Sequence, residues 1–109
     1  MNEYRITAKV PREHLWYGGY FREFLTDYFN LDSSDVTDEC QLNYADDYIT
    51  HVYIFDSRIS KWLFDGLGAY IFSLSKVRDP IMPKCHVVDS DDFSYEVIFE
   101  NPSDVDKVV

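Results

Sequence analysis

Tyr4, Ile6, Ala8 and Val10 alternate with Arg5, Thr7 and Lys9. Alternation with a period of two marks a strand with one buried face. Pro11 ends it, because proline has no N–H for a ladder and suits the first turn of a helix. In the stretch REHLWYGGYFREFLTDYFNL, Phe21, Phe24, Leu25, Tyr28 and Phe29 recur at helical spacing from Tyr20 onward. Gly18 and Gly19 each cost about 1 kcal/mol of helix propensity relative to Ala. A helix is therefore expected to begin after that pair or to bend at it. Residues 32–39, DSSDVTDE, read as an acidic loop, and alternation resumes at Leu42 and Tyr44. YITHVYIF has apolar or aromatic side chains on both faces, which predicts a central strand covered on both sides. Between these runs, Asp46 and Asp47 suit a tight turn, since aspartate tolerates turn conformations and bonds its own backbone.

Asp56 or Ser57 is a candidate cap for the next helix, with a side-chain oxygen that can accept from its first N–H groups. Ile59, Leu63, Leu67, Tyr70, Ile71 and Leu74 then recur at intervals of three and four. The spacing predicts one amphipathic helix of about 20 residues that stops before Pro80. Gly66 and Gly68 lie inside it, where their use would be close packing of the helix on the sheet. KCHVV and FSYEVIF flank the turn-like DSDD at residues 89–92, and Phe93, Tyr95, Val97 and Phe99 share one face of the last strand. The order strand, helix, strand, strand, helix, strand, strand predicts a single α+β domain. Two helices would pack on one face of a mainly antiparallel sheet of four to five strands. The expected order is the ferredoxin-like βαββαβ with an extra C-terminal strand.

The 109 residues make one ordinary domain, and 46% apolar content is enough for one core. Charge changes the picture more. Twenty acids against ten bases give a net charge of -10. Such a field repels a nucleic-acid duplex or an anionic membrane and attracts a basic protein surface. Direct nucleic-acid binding is thus disfavoured. The first residues lack the apolar stretch of a secretory signal, and no run approaches the roughly 18 apolar residues of a membrane span. Cys40 and Cys85 then read as reduced thiols of a cytoplasmic protein.

Catalytic and cofactor motifs are absent from the sequence. Neither DSSDVTDE nor DSDDFSYE has the glycine that an EF-hand loop needs. His14, Cys40, His51, Cys85 and His86 lack the paired spacing that puts two ligands on one zinc ion. Cys85 and His86 are neighbours on an expected strand and point to opposite faces, so they cannot form a thiolate–imidazole pair. Cys85 reads as a small core residue and His51 as a structural imidazole. No glycine-rich loop carries the lysine or further glycine of a phosphate cradle. The expectation is a protein that is not an enzyme and needs no metal or cofactor.

The remaining candidate is the acidic surface. Residues 23–57 hold nine carboxylates and no Lys or Arg, and residues 89–106 hold seven more without a base. Asp32, Asp35 and Asp38 step by three and would spread single negative charges as a row. Such a row can stand in for phosphates in a groove built to neutralise them. The candidate contacts are Asp32, Asp35, Asp38, Glu39, Asp46 and Asp47, with Tyr44 and Tyr48 as aromatic anchors. Asp89, Asp91 and Asp92 form a second patch. In charge and size the chain resembles the compact acidic nucleic-acid mimics that phages and mobile elements encode against restriction and CRISPR nucleases. That resemblance implies a non-catalytic inhibitor gripping a basic, nucleic-acid-handling partner. The alternative is a small accessory or ligand-sensing regulatory domain whose acidic surface serves solubility.

Overall fold

The alternation at the N-terminus seeds the sheet. In the computed structural model, which describes residues 3–41, 47–56, 59–75 and 83–101, Glu3–Pro11 forms strand β1. Tyr4, Ile6, Ala8 and Val10 are all buried. The remaining elements are α1 (Trp16–Phe29), β2 (Val36–Gln41), β3 (Tyr48–Asp56), α2 (Lys61–Asp65), α3 (Leu67–Ser75), β4 (Cys85–Asp91) and β5 (Ser94–Phe99). Short 3-10 turns at Arg12–His14 and Ser33–Asp35 precede α1 and β2. Together they build one α+β domain with a mixed sheet in the order β2-β3-β1-β5-β4.

The first half follows expectation: β3 runs antiparallel between β1 and β2, so β1 and β2 are parallel across it. The second half departs from the ferredoxin-like order. There the strand after the second helical segment would lie beside β1. Here β5 takes that place, parallel to β1, and β4 is displaced to the edge. The physical reason lies in the two strands. On β5, Tyr95, Val97 and Phe99 are all buried, which suits an interior position. On β4 the ladder slips between Val87 and Asp89, and Val88 is more than half exposed. A bulge of this kind is typical of edge strands, where it disrupts further pairing.

Three other expectations change. Helix α1 neither starts after nor breaks at Gly18 and Gly19; it runs through both. It ends at Asn30, whose φ of 54° is left-handed, a conformation asparagine tolerates. Leu31 N–H reaches back to the Thr26 carbonyl at 2.8 Å and closes the end. The single long helix expected after residue 57 is two helices, with Gly66 between them and Ser60 at the first N-terminus. The acidic loop is shorter than expected, because β2 begins at Val36. The strand and turn expected at Leu42, Tyr44 and Asp46 lie outside the described residues, as do the end of the second helical segment near Pro80 and the capping position at Ser57.

All described helices pack on one sheet face. Phe21 meets Tyr53 and Phe99 from α1, and Phe64 of α2 stacks on Tyr4 at 4.4 Å between centroids. Gly68 of α3 lies against Tyr95, where a Cβ would meet the ring at 3.1 Å. Fully buried aromatics dominate this layer, each contributing roughly 1.5–3 kcal/mol. The opposite face of β3 carries Tyr48, Thr50, Val52 and Ile54, and no described helix covers it. The expectation of cover on both sides is therefore corrected among the described residues. Val52 is nonetheless 8% exposed, so its neighbours in the sheet shield it.

Gly18 and Gly19 differ sharply in their surroundings. A Cβ at Gly18 would lie 2.9 Å from His51 Nε2, whereas one at Gly19 meets nothing within 4 Å. Gly19→Ala should raise stability by up to about 1 kcal/mol through helix propensity alone. Gly18→Ala should lower it, because the His51 ring is stacked parallel to Tyr53 (interplanar angle 9°) and cannot yield freely. Urea unfolding of both variants checks this, and equal stabilisation would show that the close approach is not limiting.

Candidate functional site

The strand assignment of β2 splits the expected acidic row. Neighbours on a strand point to opposite faces. Asp38 lies on the helix side opposite Tyr53, and Glu39 lies on the open face opposite Val52. Asp32 and Asp35 clasp each other: Asp32 N–H donates to Asp35 Oδ2 at 3.2 Å, and Asp35 N–H to the Asp32 carbonyl at 2.9 Å. Asp38 Oδ1 is 3.3 Å from His51 Nδ1. Asp47 is exposed at the far end of the β2–β3 hairpin, and its carbonyl accepts from Arg12 N–H. The six residues of β2, at about 3.3 Å each, put roughly 20 Å between the two ends. Tyr48 is half-buried on the open face, and Tyr44 and Asp46 lie outside the described residues.

The second expected patch is also partly committed. Asp91 Oδ1 accepts from Phe93 N–H at 2.9 Å, which with Ser94 holds its carboxyl below the usual range. Asp92 lies 3.9 Å from Lys61, and the Asp89 side chain is outside the description. This turn sits at the same end of the sheet as Asp32 and Asp35 but on the opposite edge, since β4 and β2 are the outermost strands. Downstream, Lys9 pairs with Glu96 at 3.3 Å and Lys84 with Glu100 at 3.7 Å. By contrast, among the described residues Glu23, Asp27, Asp32, Glu39 and Asp47 form no ion pair with Lys or Arg. Among the described residues, most carboxylates without a cationic partner thus belong to the first acidic block.

One constellation was not foreseen from sequence. The register places Cys40 directly opposite His51 on the helix side, with Asp38 two positions along the same strand. The thiol and imidazole make no hydrogen bond, and His51 Nε2 is directed at Gly18 rather than at open space. Among the described residues no three His, Cys, Asp or Glu side chains converge as metal ligands. Both cysteines are free thiols, Cys40 exposed on one edge strand and Cys85 buried on the other.

A second feature was missed: a groove of about 360 Å³ between α1 and α3. Tyr20, Glu23, Phe24, Asp27 and Tyr28 line it from α1, and Tyr70 and Leu74 from α3. The α1 positions step by three, one, three and one, a single helix stripe beside the one that faces the sheet. Phe24, Tyr28 and Tyr70 are mutually stacked, with centroids 5.1–6.0 Å apart and planes within 24° of parallel. The Tyr28 hydroxyl donates to the Leu63 carbonyl at 2.9 Å, which fixes that ring. The sequence signal was present, since acids interleave with rings at helical spacing, but Phe24 and Tyr28 also pack against the core, and the stripe they share with Phe21 and Leu25 hid their second face. Trp62, 81% exposed, and Trp16 are further aromatic surfaces the acidic stretch did not point to.

No protein-family model matches the chain, and neither curated proteins nor solved structures give a match. No described helix is long and apolar enough to cross a membrane.

Burial pushes the Cys85 thiol up to about 12 and raises the Tyr53 hydroxyl well above its ordinary value, with Asp38 adding to the latter. Tyr17, Tyr28 and Tyr95 are raised by burial too. Groups that hold a proton more tightly when folded contribute stability that is complete below their unfolded pKa. It is lost as pH rises toward the folded value. For Cys85 the window runs from its ordinary 9.0 to about 12. Unfolding free energy should therefore fall as pH rises above about 9, and Cys85→Ala should flatten the first part of that fall. At neutral pH, native protein should give one alkylated thiol, Cys40, and denatured protein two, as counted by mass spectrometry.

Proposed function

We propose that this is a non-catalytic binding protein whose acidic surface occupies a basic, nucleic-acid-handling protein and blocks it. The observation that carries the reading is the unequal neutralisation of the two acidic blocks. Glu96 and Glu100 are paired with lysines, while Glu23, Asp27, Asp32, Glu39 and Asp47 are left without a cationic partner among the described residues. Unpaired surface carboxylates repel one another and gain from a complementary basic surface, which speeds encounter and selects partners by sign. Asp32 and Asp47 mark the two ends of the β2–β3 hairpin, with Glu39 between them on β2. That gives single negative charges spread along an extended element, the kind of array a phosphate-neutralising groove accepts. Asp38, turned toward His51, is left out of this surface, and Asp35 acts chiefly in the turn before β2, whose capping box the Asp32 side chain shares.

The test is capture of a partner from host extract by the intact protein, followed by affinity measurement with that partner. Affinity should fall about tenfold or more between low and moderate salt, and a DNA duplex should compete for the same partner. Glu39→Lys and Asp47→Lys combined should abolish capture with little change in melting temperature. An affinity that is flat with salt, or a partner indifferent to DNA, would overturn the reading.

A further inference from the structure

We propose that the groove between α1 and α3 is a guanidinium site that receives an arginine side chain of the binding partner. The source of the arginine rests on the function proposed above; the chemistry of the groove does not. Its walls supply the two things a guanidinium needs. Tyr20, Phe24, Tyr28 and Tyr70 offer aromatic surface, and Glu23 and Asp27 stand among them as carboxylates. A planar, weakly hydrated cation stacks on such rings and at the same time donates in-plane N–H bonds to carboxylate oxygens. The volume of about 360 Å³ lies within the range of sites that enclose small groups.

Electrostatics point to a cation independently of the rings. Glu23 and Asp27 are four apart on one helix face, where like charges destabilise the helix. Asp27 also lies in the last turn of α1, at the negative end of the helix dipole, and that turn contains no basic residue. No Lys or Arg among the described residues lines the groove. Both unfavourable terms are relieved by a positive group held between the two carboxylates. The stacked rings are already in place, with Tyr28 tied to Leu63, so little ordering is lost when the ligand enters.

The experiment is an NMR titration of the full chain with N-acetyl-arginine methylamide, its citrulline counterpart, and free arginine. The blocked arginine should shift aromatic resonances of the groove with a dissociation constant of about 10 mM or tighter. Citrulline, equal in shape but uncharged, should leave them unmoved. Glu23→Gln with Asp27→Asn should weaken binding about tenfold, the scale of one cation pair lost. Tyr70→Leu, which retains both carboxylates, should also weaken it, and circular dichroism confirms that both variants are folded. No shift up to roughly 50 mM, or an equal response to citrulline, overturns the guanidinium site. Tighter binding of free arginine than of the blocked form overturns the partner side chain as its source. Because the hairpin residues Asp32, Glu39 and Asp47 are untouched here, failure of this site is distinct from failure of the acidic-surface reading.

Discussion

The buried Tyr53 hydroxyl donates to the Gly18 carbonyl at 2.9 Å, and that contact sets how α1 sits on the sheet. It needs a helix backbone close enough to be reached from β3, and only a residue without a Cβ leaves room for His51 beneath it. With α1 held there, Phe21 fills the space between Tyr53 and Phe99, and Phe29 reaches Phe55. His51 faces Asp38 on the other side, so the same contact reaches the middle of the edge strand β2. The desolvated Tyr53 ring thus connects the helix layer, an interior strand and the edge.

Net charge is a poor guide to where unpaired carboxylates lie on this surface, because many of the acids serve the fold. Asp35 and Asp91 each accept from backbone N–H groups at turns, Asp38 faces an imidazole, and Glu96 and Glu100 meet lysines. Among the described residues of the first acidic block, what is left is a smaller set on α1, at the two ends of the β2–β3 hairpin and on the open sheet face. Those on α1 are set among rings rather than in a plain acidic field. That combination of carboxylates and stacked rings gives this part of the surface a shape as well as a sign.

Patterns that depend on one element alone were legible from sequence. The alternation of β1 and β5 and the stripe from Phe21 to Phe29 follow from burial of one face, which periodicity records directly. Strand order was not legible. Whether β4 or β5 lies beside β1 is decided by which member of a hairpin has the more apolar face and which tolerates a bulge. The passage of α1 through Gly18 and Gly19 was hidden because propensity penalises both glycines, while tertiary packing requires one of them. The extent of β2 was misread because its side chains are almost all exposed, so an edge strand has the composition of a loop. The same limit split Asp38 from Glu39: a step of three along a loop says nothing about faces until the strand is known.

The position of β5 has a consequence for the order in which the fold can close. β1 gains its β3 neighbour once Asp56 is available, but its other neighbour spans Ser94–Phe99. During synthesis β1 therefore carries one open edge until Ser94–Phe99 has emerged, and the β4–β5 hairpin must dock as a wedge that completes the sheet. Pairing across so long a separation is slow, and an open interior edge is a surface to which other chains add. The carboxylates from Glu23 to Asp56 are already on the chain by then, and like charges on separate molecules oppose that addition.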